Sequence, residues 1–217
     1  MHIPDGFIPL WQCGIYYVIT ILALYFSLKW AKKNLDEKMV PLMAVLAAGI
    51  FAIMSLNVPF PMGSSGHMVG GALVAIIFCA PEAAVIIFTL VLLVQALLMG
   101  DGGVTTLGAN ILNMGIVTGL IGFYSFKTLR NPLGKVKSLF IASWLSIFLA
   151  AVMVVLELWF AGKFINLQLA LLFLILQSIS GIVEGILTVI IILALEKTRP
   201  DLLVWNKMKK NNKSKII

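Results

Sequence analysis

Charge is what this sequence has least of. Only 12% of its 217 residues are Asp, Glu, Lys or Arg, against 61% hydrophobic ones, which excludes an ordinary soluble domain. The ten-residue alternation of a membrane β-barrel strand is missing as well. No polar linker of useful length divides the chain, so residues 1–200 are expected to form one bundle, with a basic tail at 201–217. The two cysteines, Cys13 and Cys79, both lie inside apolar stretches; they are expected to be ordinary buried thiols rather than a disulfide framework. The chain opens without the basic region and small-residue cleavage site of a signal peptide, so Met1 is expected to begin the mature protein. The bulky His2 is expected to protect Met1 from removal. No G-x-x-x-x-G-K-[ST] occurs, which excludes ATP hydrolysis by a P-loop of its own.

What is present is a series of apolar runs, at 9–28, 41–58, 68–80, 83–99, 107–126, 139–160 and 167–195. They predict an all-α, polytopic membrane protein with about seven transmembrane helices. Pro41, Pro59, Pro61, Pro81 and Pro132 fall at or outside the run ends, where a missing amide donor costs least. The third run, about 13 residues long, is short enough for a re-entrant or tilted segment.

Basic residues orient the bundle. Lys29, Lys32, Lys33 and Lys38 follow the first run, and Lys127, Arg130, Lys135 and Lys137 separate the fifth from the sixth. Lys197, Arg199, Lys207, Lys209, Lys210, Lys213 and Lys215 populate the tail. With seven spans these share one face and only Lys163 lies on the other, which predicts a cytoplasmic C-terminus and an outside N-terminus. A non-crossing hairpin of the third and fourth runs preserves that parity. The tail then reads as an anchor meeting anionic lipid, not as a nucleic-acid arm.

Both histidines, His2 and His67, fall on the predicted outer face. A free terminal amine followed directly by histidine is a chelator: the amine of Met1, the amide nitrogen of His2 and its imidazole close two fused rings on one cation. Stripping protons from amine and amide suits a metal that prefers planar nitrogen coordination, so Ni2+ or Cu2+ fits better than tetrahedral Zn2+. His67 is the one remaining imidazole and can fill the fourth corner. Gly63 and Gly66 let its loop dip toward the N-terminal segment 1–8. Asp5 and Asp101, on the same face, can orient an imidazole through its other nitrogen. Taken singly, His2 is more often explained by a frayed terminus and His67 by a capping or loop hydrogen bond; it is the pair together that points to a metal.

The stretches MHIPDGFIP, GSSGHMVGG and LVLLVQALLMGDGGVTTLGANILNMGIVTG resemble the CbiM/NikM family, the integral substrate-binding (S) components of energy-coupling-factor (ECF) transporters for cobalt and nickel. The likeness runs through about residues 1–120, and the later runs match in pattern only. It implies four nitrogen ligands mapping onto Met1, His2 and His67. It also implies a cell-membrane partner set of one coupling transmembrane T component and two ATPase subunits, with a small accessory membrane protein possible. The opening and the loop look closer to nickel members, so Ni2+ is the expected transported ion and Co2+ the next. Many relatives carry extra domains or fused segments, whereas this sequence stops soon after its last run.

Other residues carry two readings. Ala44, Ala48 and Ala52 recur every four residues and suit either partner docking or packing inside the bundle. Asn110, Asn113 and Gln95 can buttress the N-terminal segment or line a metal route, or can join helices by hydrogen bonds. Ser64 and Ser65, beside His67, are further candidates to support it. Glu184 is an intramembrane carboxylate expected far from the metal, and Glu157 is expected at the interface in the aromatic belt with Trp159. GSSG has the G-x-S-G form of intramembrane serine proteases, but His67 is too near Ser65 in sequence and His2 precedes the first helix, so no enzyme is expected. The alternative to an ATP-driven importer is a standalone permease or channel, which needs polar residues at every depth. The inner half of the runs offers little beyond Gln177 and Glu184.

Overall fold

In the computed structural model of the chain, which describes residues 1–37, 39–55, 58–59, 65–163 and 166–204, the described residues form seven helices. They are α1 (Leu10–Asn34), α2 (Met39–Met54), α3 (Gly71–Phe78), α4 (Pro81–Met99), α5 (Leu107–Leu133), α6 (Lys135–Phe160) and α7 (Leu167–Thr198). A one-turn 3-10 helix, Pro200–Leu202, follows.

Local chemistry sets the starts and stops. Pro9 is the N-cap of α1 and Pro81 the first residue of α4, where no amide donor is needed, and Glu82 adds a negative charge to the first turn of α4. The side chain of Asn166 caps α7 by accepting from the Gln168 N–H. Helix α5 runs on through Pro132 to Leu133, past the expected end of its run; the proline falls in the last turn, where it costs little.

Five helices are long and apolar enough to cross a membrane: α1, α4, α5, α6 and α7. The other two expected runs form shorter helices. Helix α2 has 16 residues and ends at Met54, and the chain beyond it forms a two-residue antiparallel bridge, Val58 with Gly66 and Pro59 with Ser65. Helix α3 has eight residues, about 12 Å of axis against a hydrocarbon core of about 30 Å. Every residue of α3 is buried, which is where a helix that is apolar all round has to go. The third run is therefore an internal plug between the long helices. Cys79, in the left-handed conformation, ends it one residue before Ala80 turns the chain into α4. Neither cysteine is in a disulfide.

The N-terminal nine residues fold back into the end of the bundle. Met1, Ile3 and Ile8 are almost completely buried, as is His2. Three apolar side chains seated in this way are worth about 1.5–3 kcal/mol each, enough to hold an otherwise irregular strand. Ala44, Ala48 and Ala52 all face outward, while Met43, Ile50 and Met54 form the buried side of α2. Among the described residues, the alanine ridge therefore lies on the exposed side of α2.

Candidate metal centre

The turn between α4 and α5 builds the seat for the N-terminal segment. Helix α4 widens into a π turn at Gln95–Met99, a local distortion common beside functional sites. The chain then reverses through Gly100, Asp101, Gly102 and Gly103. Gly102 has a φ of 82°, and a Cβ there would lie 3.1 Å from His2 Cδ2. At Gly103 a Cβ would fall 2.1 Å from Asp5 Oδ1 and 2.5 Å from the Asp5 backbone nitrogen. The absence of side chains at these two positions lets the two backbones touch.

Asn110 then grips Ile3 as a neighbouring strand would. The Ile3 N–H donates to Asn110 Oδ1 at 2.8 Å, and Asn110 Nδ2 donates to the Ile3 carbonyl at 3.1 Å. The same carbonyl accepts from Thr106 Oγ1 at 2.5 Å and from the Gly103 N–H at 3.2 Å. Asp5 fixes the next turn by accepting from the Val104 N–H at 3.1 Å, the Thr105 N–H at 2.8 Å and Thr105 Oγ1 at 2.5 Å. The Thr105 bonds lead the effects that hold the Asp5 carboxyl below its usual range. Tyr17 of α1 donates from its hydroxyl to the Val104 carbonyl, closing the seat from the other side.

Held in this way, His2 meets His67. His2 Nδ1 lies 3.0 Å from His67 Nε2, and the Met1 amine lies 3.4 Å from the same atom. Each imidazole has its other nitrogen engaged: His2 Nε2 faces Gln95 Oε1 at 3.3 Å and His67 Nδ1 faces the Met68 carbonyl at 3.0 Å. Both of those partners are acceptors, so those ring nitrogens carry the hydrogens. The lone pairs of His2 Nδ1 and His67 Nε2 then point at each other and at the amine. Nδ1 is also the ring atom that closes a six-membered chelate with the His2 amide nitrogen. A square of four nitrogens with bonds of about 2.0 Å puts neighbours about 2.8 Å apart, so 3.0 and 3.4 Å is nearly the closed geometry.

Electrostatics favour lone pairs over protons here. Burial lowers the Met1 amine from 8.0 to about 5, against the opposing pull of Asp101. Burial, then the neighbouring amine, lowers His2 from 6.5 to about 3, with Gln95 acting weakly in the other direction. His67 is pushed well below its ordinary value, by burial first and then by the amine and His2. Asp101 Oδ1 lies 3.4 Å from His2 Nδ1 on the rim, its carboxyl raised by burial and lowered by the terminal ammonium. Among the described residues no three His, Cys, Asp or Glu side chains gather into a group that could hold a metal. A cation at this place has to draw on the terminus and the backbone.

The structure thus brings together Met1, His2, His67 and Asp101, with Asp5 and Asn110 holding the segment that carries the first two. Asn113 is elsewhere: its Nδ2 donates to Glu157 Oε2 at 2.7 Å, joining α5 to α6. Glu157 is accordingly buried at 2% exposure, inside the protein and in the last turn of α6 beside Trp159. Ser64 and the side chain of Ser65 lie outside the described residues. Gln95 enters as the partner of His2, while Thr106 and the Gly102–Gly103 pair escaped the sequence reading; the glycine-rich MGDGGVTT was their signal. Glu184, expected far from the metal, is in fact bonded to the backbone two residues past His67.

The chain is similar to known metal transport proteins. Residues 2–202 match the family model CbiM, a cobalt uptake substrate-specific transmembrane region. A protein of Archaeoglobus fulgidus named as a fused nickel transport protein is 35% identical over 205 residues, covering 94% of this chain and 68% of that one. The cobalt transport protein CbiM of Clostridium tetani is 37% identical over 213 residues, covering 88% and 82%. A solved truncated transition-metal transporter superposes with a TM-score of 0.83 at 32% identity, covering 91% of this chain and 99% of that one. The chain therefore belongs to the CbiM family: it is a multi-pass membrane component of cobalt or nickel transport, and not an enzyme.

Proposed function

We propose that this chain is the substrate-capturing S component of an ECF importer and that it takes Ni2+, with Co2+ next, at its outer face. The observation that carries the metal assignment is the convergence of three nitrogens on one point while each imidazole's other nitrogen is occupied. The His2 amide nitrogen supplies the fourth corner once deprotonated. Its negative charge and that of Asp101 balance a divalent cation, so the loaded centre is neutral where it is buried. A square of nitrogens selects Ni2+ over Zn2+, which prefers a tetrahedron. Competition with a chromophoric chelator on purified protein tests this: Ni2+ is expected to bind at least about tenfold more tightly than Zn2+. Equal affinity for zinc sinks the planar assignment.

A proton count gives an independent check. If amine and imidazoles had ordinary values, about two to two and a half protons would leave per metal bound at pH 7. With the amine at about 5 and His2 at about 3, only the amide proton remains to be displaced. The sign follows: lowered values mean fewer bound protons, so affinity rises tenfold per pH unit between about 6 and 8, and falls more steeply only as pH drops through about 5. Calorimetry in buffers of different ionisation enthalpy is expected to find one proton per Ni2+. Two or more means that the amine is not held neutral.

On this reading the exposed ridge Ala44, Ala48 and Ala52 is the docking face for the coupling T component, with two ATPase subunits driving release inside. The outward N-terminus, the cytoplasmic tail at 201–217, largely outside the described residues, and the cell-membrane setting belong to the same proposal. Proteoliposomes holding the chain alone are expected to take up no nickel, and uptake is expected when the coupling and ATPase subunits are added with ATP. ATP-independent uptake by the chain alone supports the permease instead.

A further inference from the structure

Glu184 lies on α7 at 1% exposure. Its Oε2 accepts from the Val69 N–H at 2.8 Å and its Oε1 from the Gly70 N–H at 3.0 Å. The Val69 nitrogen and the Met68 carbonyl belong to one peptide group, and that carbonyl accepts from His67 Nδ1 at 3.0 Å. A single planar unit is therefore gripped at both ends, by a carboxylate on its N–H and by an imidazole on its oxygen. The unit is stiff, because rotation about its C–N bond is blocked. Displacing the carboxylate turns the carbonyl, and turning the carbonyl re-aims the ring.

The link is electronic as well as mechanical. A negative charge on the N–H polarises the peptide and makes its oxygen a stronger acceptor, the more so in a low dielectric. A stronger acceptor holds the hydrogen on His67 Nδ1 and pushes electron density toward Nε2, the atom that faces His2 Nδ1 and the amine. Carboxylates that contact a ligating histidine directly act in this way; here a peptide group stands between the two. We infer that Glu184 is a positioning residue of the metal centre: through the Met68–Val69 peptide it fixes the tautomer and aim of His67 and strengthens Nε2 as a donor. This rests on the metal reading of Met1, His2 and His67.

A simpler role is available, since Gly70 is the N-cap of α3 and a carboxylate there also favours the helix end. The two roles separate in a double-mutant cycle. Glu184→Gln keeps the size and replaces one acceptor by a donor, so one of the two bonds is lost. Ni2+ affinity, and the visible absorption band of the Cu2+-loaded protein, are measured for wild type, Glu184→Gln, His67→Ala and the double variant. Glu184→Gln is expected to weaken Ni2+ about tenfold and to move the Cu2+ band toward that of His67→Ala, with no further effect in the His67→Ala background. Wild-type behaviour of Glu184→Gln, or an equal loss in both backgrounds, overturns the inference. If His67→Ala itself binds like wild type, the metal reading falls and takes this one with it. Should Glu184→Gln fail to fold, Glu184→Asp, which keeps the charge and draws it back by one methylene, is carried through the same cycle under the same criteria.

Discussion

Protein carrying one additional residue before Met1 is expected to lose Ni2+ affinity by about 10²–10⁴-fold, the range by which linking ligands in one molecule raises effective concentration. The extension acts twice. It turns the Met1 amine into a peptide nitrogen, so the five-membered ring between amine and His2 amide no longer has its basic end. It also needs room that is absent: Met1 is 0% exposed, and its nitrogen sits 3.4 Å from His67 Nε2. Cleaving a protease-removable extension back to Met1 should restore binding, which separates the missing amine from a general failure to fold. A centre built on imidazoles alone predicts the opposite. His2 and His67 would still be present, and the loss would stay within a fewfold. Titration of Ni2+ into the extended and cleaved forms of one preparation decides it.

The residues of the candidate centre stood out in the sequence more sharply than the shorter helices did. Met1, His2 and His67 stood out because each is chemically singular: one α-amine, and two imidazoles in a chain that has no others. Helix existence was legible for the five long apolar runs, where length alone meets the membrane requirement. The third run stayed open between a span and a re-entrant segment because apolarity reports burial without saying in what. Helix α3 is as apolar as a span but is surrounded by protein, and only its length hinted at this. Glu184 was misjudged for a related reason. Its place along α7 gives no sign that the segment at 67–70 reaches it, yet its carboxylate accepts from the Val69 and Gly70 N–H groups. The Asn110 and Asn113 pair shows the limit of spacing. One turn apart on α5, the first clamps Ile3 and the second bonds Glu157, because they face different neighbours that no local pattern names.

The seat also explains why a residue with no ligating atom should matter nearly as much as a ligand. Gly103→Val is expected to lower Ni2+ affinity by about 10²-fold while leaving the helical bundle folded. A Cβ at position 103 would lie 2.1 Å from Asp5 Oδ1, 2.5 Å from the Asp5 nitrogen and 2.5 Å from Thr106 Oγ1. The first of these could swing away, but the Asp5 nitrogen is backbone and Thr106 is already bonded to the Ile3 carbonyl. Relief therefore requires the segment 1–5 to lift from its seat, at the cost typical of overpacking, about 1–3 kcal/mol. Lifting moves Met1 and His2 together and leaves His67 behind, so the tripod of nitrogens survives within the segment while its fourth corner is lost. The variant should then resemble His67→Ala in both affinity and Cu2+ absorption band, and combining the two should add little. Full wild-type affinity in Gly103→Val would mean that the segment binds metal without docking. Intermediate affinity with a wild-type band would instead place the cost in docking alone, with all four nitrogens still on the metal once the segment is seated.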